Sequence, residues 1–298
     1  MFKTTIPGGY KMNKYVIITD SSSDLTKDIL NDPELALLQL DVLVEGEEPK
    51  ANCDVDAKEF YDKLRAKKGA TTSAVNIDKF LAFFEPYLAE GIDILYLGFS
   101  SGLSGTYNAG LVAAKELAER YPERKIYAID TLAASLGQGL LVDYAVKLKN
   151  DGADIDTVRD FVENNKLHLC HWFTVDDLFF LKRGGRVSAA TAVVGSMLSI
   201  KPVLHVDDKG RLINVGKARG RKAAIDALFD KMKETAIEPE NQTIFISHGD
   251  AIEDAEYLAD RIREELHVKE VKIGYVGPVI GAHAGPGVLA LFFIGTER

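Results

Sequence analysis

Residues 94–107 read ILYLGFSSGLSGTY. The apolar run 94–97 has the length and composition of a buried strand. Residues 98–105 then carry three serines, Ser100, Ser101 and Ser104, among three glycines, Gly98, Gly102 and Gly105. A helical pattern begins directly afterwards, at about Thr106. This order places hydroxyls and close-approach glycines at a helix start, where unpaired backbone N–H groups attract an anion. In an open α/β sheet, ligands sit outside the carboxyl ends of the strands. The turn therefore reads as an oxyanion site that either reacts with its anion or holds it. Serine and glycine clusters of this kind also serve as plain caps and turns.

Working outward, the first half alternates strand and helix. Residues 15–19 read as a short strand followed by the acidic, hydroxyl-rich loop 20–24. A second strand is expected within 36–44, a helix over 56–67, and strands over 92–98 and 125–129. Phe80, Phe83, Phe84, Tyr87 and Leu88 form the stripe of an amphipathic helix, read as core. Further helices are expected over 132–149 and 155–164. Such alternation implies a parallel sheet with helices on its faces. The second half changes character. Residues 201–206, the polar turn 207–210 and residues 211–215 read as a β-hairpin. A strand at 243–247, a helix at 252–266 and strands at 271–275 and 289–294 follow. The expected fold class is α/β with two domains. An N-terminal parallel α/β domain spans 14–168, and a C-terminal α+β domain with a largely antiparallel sheet spans 169–298. Residues 1–13 read as an N-terminal arm, or as an upstream start with Met12 the working one.

The composition excludes several classes. At 298 residues, with 46% hydrophobic and 27% charged residues, the chain is ordinary globular protein rather than disordered. A net charge of −9 disfavours nucleic acid, whose recognition rests on cationic patches. Its apolar runs are too short to span a bilayer, so at most transient membrane contact is expected. The start lacks the apolar core of a signal peptide. Cys53 and Cys170 make no disulfide framework, which fits the cytoplasm.

Other constellations stand out. Thr71, Thr72 and Ser73 precede the aromatic-striped helix, and Ser73 alone would serve as its N-cap. Facing the Ser100 turn, they would converge neutral donors on one point, which suits a carboxylate better than a phosphate. Residues 181–188, LKRGGRVS, are cationic with a tight turn at Gly184 and Gly185. They read as a solvated loop or as cations offered to a partner or ligand. The small apolar run after them, 189–200, is suited to lining a cavity. Residues 277–287, GPVIGAHAGPG, read as a glycine-rich loop in which His283 is the single ionisable group. His168, Cys170 and His171 resemble a metal cluster, but on a strand His171 points away from the other two, and no metal is expected. Residues 98–102 formally match the G-x-S-x-G nucleophile elbow.

Taken in order, these motifs resemble the DegV family, bacterial fatty-acid-binding proteins that include the FakB subunits. The resemblance rests on VIITDSSSDL (16–25), TTS (71–73), SSGLSGTYN (100–108), AIDT (128–131) and VDDLFFLKRGGRVS (175–188). It continues in IKPVL (200–204), GKARGRKAAI (216–225), HGD (248–250) and GPVIGAHAGPG (277–287). The resemblance implies a two-domain fold with an acyl chain, such as palmitate, buried between the domains. It implies a carboxylate held by Thr72 or Ser73 and by Ser100 or Ser101, with His283 and Arg219 as further contacts. It also implies presentation of the acid to a separate fatty acid kinase that makes an acyl phosphate, with no cofactor and no catalysis in this chain. No G-x-x-x-x-G-K-[ST] nucleotide loop is present. Where the family continues its T-S segment with Gln-Pro, this chain has Ala74 and Val75. Arg183 and Arg186 are expected to dock the partner, since a cationic loop on an acidic protein steers association. Two competing readings remain: a serine hydrolase using Ser100 or Ser101, and a carrier of another acidic metabolite.

Overall fold

The structure, a computed structural model, describes residues 14–188 and 200–298. The arm 1–13 and the apolar run 189–199 lie outside the described residues.

The ILYL run forms the strand Asp93–Gly98 at the middle of a four-stranded sheet. Its order is Leu35–Leu38, Tyr15–Asp20, Asp93–Gly98, Ile126–Asp130, and every pairing is parallel. Apolar side chains alternate between the two faces, which is why the central strands read as unbroken apolar runs. Val16, Ile18, Ile94 and Tyr96 pack with Phe80, Phe84 and Leu88 of the helix Ile77–Ala89 and with Ala113 and Leu117 of the helix Thr106–Arg120. Ile17, Leu95 and Leu97 face the other way, into a core shared with the helix Leu136–Asn150.

A second, six-stranded sheet takes all its strands from Leu169 onward. Its order is Leu212–Arg219, Ile200–Val206, Leu169–Thr174, Leu289–Ile294, Thr243–His248, Glu270–Tyr275. All pairings are antiparallel except that of Thr243–His248 with Glu270–Tyr275. The helices Arg221–Thr235 and Ile252–Leu266 cover one face through Ile225, Phe229, Leu258 and Ile262. The opposite face presents Phe173, Phe245 and Phe292 to the helix Leu136–Asn150. That helix is therefore packed against both sheets, and its side chains from Leu136 to Val142 are all buried. The chain is thus mixed α/β, with one parallel sheet and one largely antiparallel sheet.

Four sequence expectations need correction. The strand expected within 36–44 is two strands, Leu35–Leu38 in the parallel sheet and Asp41–Val44 in a separate three-stranded antiparallel sheet. Residues 71–73, for which no strand was expected, belong to the strand Ala70–Ser73, which pairs with Asp41–Val44 in that small sheet. Residues 278–284 form a short helix, Pro278–Ala284, with Pro278 at the first position where a missing N–H costs nothing. The helix expected from 132 begins at Leu136, after a loop in which Leu132 and Ser135 hold positive φ.

Candidate functional site

A cavity of about 510 Å³ opens beside the Ser101–Gly105 turn and is lined by residues from both halves of the chain. Most of its wall is apolar: Leu40, Phe99, Phe173, Leu181, Val276, Val279, Ile280, Val288 and Ala290 contribute. Its polar lining includes Thr72, Ser73, Ser101, Ser104, Arg186 and His283. An apolar chamber of several hundred Å³ with a few polar groups is the form of a small-molecule site.

Thr72 and His283 meet across 211 residues of sequence, with Oγ1 and Nε2 2.9 Å apart. The short helix Pro278–Ala284 brings His283 to the edge of the small sheet where Thr72 lies. Burial, reinforced by the Arg186 and Arg183 guanidinium groups, lowers the His283 pKa to about 4. The imidazole is therefore neutral at neutral pH, able to donate one hydrogen bond and accept one. Ser73 is not the helix cap. Asn76 fills that role, its side chain accepting from the Lys79 N–H at 2.9 Å. The Ser73 hydroxyl is thereby left for the cavity. Ser101 is held by its backbone, whose N–H donates to the Asp130 carboxylate at 3.2 Å, while its side chain faces the cavity.

Two expected contacts lie elsewhere. Ser100 is fully buried, and its hydroxyl donates to the Gly210 carbonyl at 2.8 Å and accepts from the Gly102 N–H at 3.2 Å. It ties the turn to the hairpin turn before Leu212, where Gly210 has φ +69° and any side chain would overlap the Ser100 hydroxyl. Arg219 is exposed at the end of the outer strand Leu212–Arg219 and does not line the cavity. Neither Ser100 nor Ser101 hydrogen-bonds a histidine among the described residues, so the G-x-S-x-G match lacks the base that a serine nucleophile needs.

The LKRGGRVS segment separates its two arginines. The helix Leu178–Arg183 ends with Gly185 at φ +73°, with Arg186 N–H bonding to the Leu181 carbonyl and Gly185 N–H to that of Lys182, both 2.9 Å. This is a Schellman ending, which folds the residue after the left-handed glycine back over the last helical turn. Arg183 consequently stays exposed, over the Phe180 ring, while Arg186 is half-buried on the cavity wall. Sequence reading missed this inward turn of Arg186, although the Gly-Gly signal for it was present. It also missed His171, Ser135 and Ser247, which line the cavity from the second sheet and the loop before the helix Leu136–Asn150.

The glycines of the two unusual motifs sit against each other's side chains. Gly184 lies against the His283 ring, and Gly285 against the Phe180 ring. The family model described as "uncharacterised protein, DegV family" matches residues 14–296. The chain belongs to the DegV family. A DegV domain-containing protein of Clostridium perfringens is 50% identical over 289 residues, covering 96% of this chain and 99% of the relative. A DegV family protein of Thermus thermophilus, whose structure is described as fatty acid binding, superposes with a TM-score of 0.85 at 29% identity, over 95% of this chain and 99% of that one. DegV of Bacillus subtilis, described as a fatty acid binding protein, gives a TM-score of 0.83 at 28% identity, over 96% and 100%. Among the described residues of this DegV chain, no helix is long and apolar enough to cross a membrane.

Proposed function

We propose that this protein binds one long-chain fatty acid in the 510 Å³ cavity and presents its carboxylate to a separate fatty acid kinase. In this reading the cavity lies between an N-terminal α/β domain, residues 14–168, and a C-terminal α+β domain, residues 169–298. The observation that carries it is the uneven chemistry of the cavity wall. Hydroxyls of Thr72, Ser73 and Ser101, the neutral His283 and the single cation Arg186 gather at one part of a chamber whose wall is mostly apolar. Neutral donors suit a carboxylate, which needs orientation more than charge neutralisation. The tail supplies the affinity: at about 0.8 kcal/mol per buried CH₂, a sixteen-carbon chain contributes on the order of 10 kcal/mol before ordering costs. The fatty acid binding of the Thermus thermophilus and Bacillus subtilis proteins supports the same ligand class.

The presenting role is supported by two features. Among the described residues neither turn serine hydrogen-bonds a general base, which favours holding the acid over attacking it. Arg183 stands exposed on the same turn as Arg186, offering a cation beside the carboxylate end of the cavity. The test is organic extraction of the purified protein with mass spectrometry of the lipid, followed by addition of a fatty acid kinase and ATP. An extracted long-chain acid that is converted to acyl phosphate supports both parts. Absence of acyl chain, with no uptake after delipidation, removes the binding reading. Binding without phosphorylation removes the presenting role alone.

A further inference from the structure

The cavity has an outer end and a deep end. At the outer end, Thr72, Arg186 and His283 are shared with an adjoining recess of about 300 Å³ that also takes in Thr71 and Arg183, both exposed. The deep end lies on the six-stranded sheet. Side chains alternate along each strand, so directly paired residues form rows across one sheet face. Ser247, Ala290 and Phe173 make such a row over three adjacent strands, and all three line the cavity while buried from solvent. The next row on the same face carries Phe245 and Phe292, and neither lines the cavity; of that row His171 alone still borders it. Gly137 of the helix Leu136–Asn150 sits so close on the Phe292 ring that a Cβ there would lie 2.8 Å from its Cδ1. The opposite wall stops at the same level. Ala134 and Ser135 line the cavity, whereas Leu136 and Gly137, where the helix begins, do not. The two walls are joined there: the Ser135 hydroxyl donates to the Asp24 carboxylate at 2.6 Å and lies 3.2 Å from the Ser247 hydroxyl.

Side-chain size changes abruptly at this closed end. Ala290 has no atom beyond Cβ and Ser247 has one, whereas the same two strands carry the pair Phe245 and Phe292 in the next row. Small residues in the last row thus hold open space that a larger side chain would fill. Ser247 is engaged with Ser135, so the bulk at position 290 is what decides the depth. Protein interiors are packed closely enough for a single methylene to be felt. With the carboxylate fixed at the outer end, a chain whose methyl end stops against Ala290 loses about one carbon for each carbon added to that side chain.

We infer that Ala290 is the residue that sets the length of acyl chain this protein takes, the space above its methyl group receiving the last carbons of the tail. This inference rests on the fatty-acid reading above and names the residue that selects among ligands of that class. Delipidated wild type, Ala290→Val and Ala290→Leu are titrated with saturated acids from lauric to arachidic, odd-numbered chains included. Wild-type affinity rises about fourfold with each added CH₂ until the cavity is filled, and then stops rising. In Ala290→Val and Ala290→Leu that break comes roughly two and three carbons earlier, matching the carbons added to the side chain, while shorter acids bind as they do to the wild type. In the wild type labelled with ¹³C-methyl alanine, the Ala290 signal moves with acids at the break and not with acids several carbons shorter. A break that stays at the wild-type length in the variants, a loss shared equally by short and long acids, or an Ala290 signal that responds alike to both overturns the inference and leaves the fatty-acid reading standing. Failure of the wild type to bind any of these acids overturns the fatty-acid reading itself. The methyl signal needs no variant and decides the matter if neither variant folds.

Discussion

Gly184→Ala would disturb the carboxylate site from outside the cavity's hydroxyls. A Cβ at Gly184 lies inside 3.0 Å of the His283 Nδ1 and 3.2 Å from its Cγ. The obstacle is a ring held in a short helix rather than the loose end of a long side chain. Restoring ordinary contact moves the ring by roughly 1 Å. That shift takes the 2.9 Å bond between Thr72 and His283 beyond hydrogen-bond range. Overpacking of this kind destabilises the fold by about 1–3 kcal/mol. If His283 and Thr72 act together on the ligand, the acid also loses a hydrogen bond to its charged end, worth about 1.5–3 kcal/mol, or roughly ten- to a hundred-fold in affinity. The assay is calorimetric titration of delipidated protein with stearate, with thermal unfolding measured in parallel. Thr72→Val breaks the same bond without the clash and should reproduce the affinity loss with less destabilisation. A folded Gly184→Ala protein that binds stearate as tightly as the wild type would refute the coupling between Gly184, His283 and the ligand.

Replacing Thr72 and Ser101 together by alanine should weaken stearate binding by about 1–3 kcal/mol in the same titration. Ser100→Ala should lower stability by about 1–3 kcal/mol, because the Gly210 carbonyl and the Gly102 N–H lose their buried partner. Ester substrates and a fluorophosphonate probe should detect no serine reactivity in either the wild type or this variant, and labelling lost on Ser100→Ala would favour a hydrolase. Arg183→Glu should leave the bound acid in place and slow acyl-phosphate formation by an added kinase, more so at low salt, whereas Arg186→Gln should weaken acid binding directly; equal effects of the two changes would contradict their separation by the Schellman turn. The His283 pKa lies at about 4 in the folded protein, below its ordinary 6.5. The unfolded chain therefore binds the extra proton between these values, and the stability tied to neutral His283 is lost as pH falls from 6.5 to about 4. Denaturant unfolding of wild type and His283→Gln should show a stability difference that shifts toward the wild type as pH rises through that window. Asp24, whose burial raises its pKa to about 7, contributes with the opposite slope but equally to both proteins.

The sheets were legible because their strands are buried on both faces and so appear as uninterrupted apolar runs, as at 94–97 and 289–294. The aromatic stripe from Phe80 to Leu88 likewise declared its helix. Short elements were not legible. Thr71, Thr72 and Ser73 carry little strand signal of their own, and they pair because Asp41–Val44 offers an edge distant in sequence. The stretch 278–284, between glycines and prolines, becomes helical through tertiary packing against the helix Ala57–Arg65 and the small sheet. At the site, the residue types were readable and their directions were not. Adjacent serines look equivalent on paper, yet Ser100 is consumed by the Gly210 carbonyl while Ser101 faces the cavity. Arg183 and Arg186 belong to one cationic run until the left-handed Gly185 sends the second inward. His171 looked like part of a false metal cluster. Strand alternation, which sets Cys170 against the opposite core, leaves it on the cavity side.

The central claim is that the cavity holds the chain of a long fatty acid with its carboxylate at Thr72, Ser101 and His283. It is tested most directly by native mass spectrometry of the purified protein, with the released ligand identified in the same spectrum. The account predicts one long-chain acid per protein molecule, displaced by added stearate and retained less by the Thr72→Ala, Ser101→Ala variant. A protein that carries no acyl chain, and that takes up no stearate after delipidation, would contradict it.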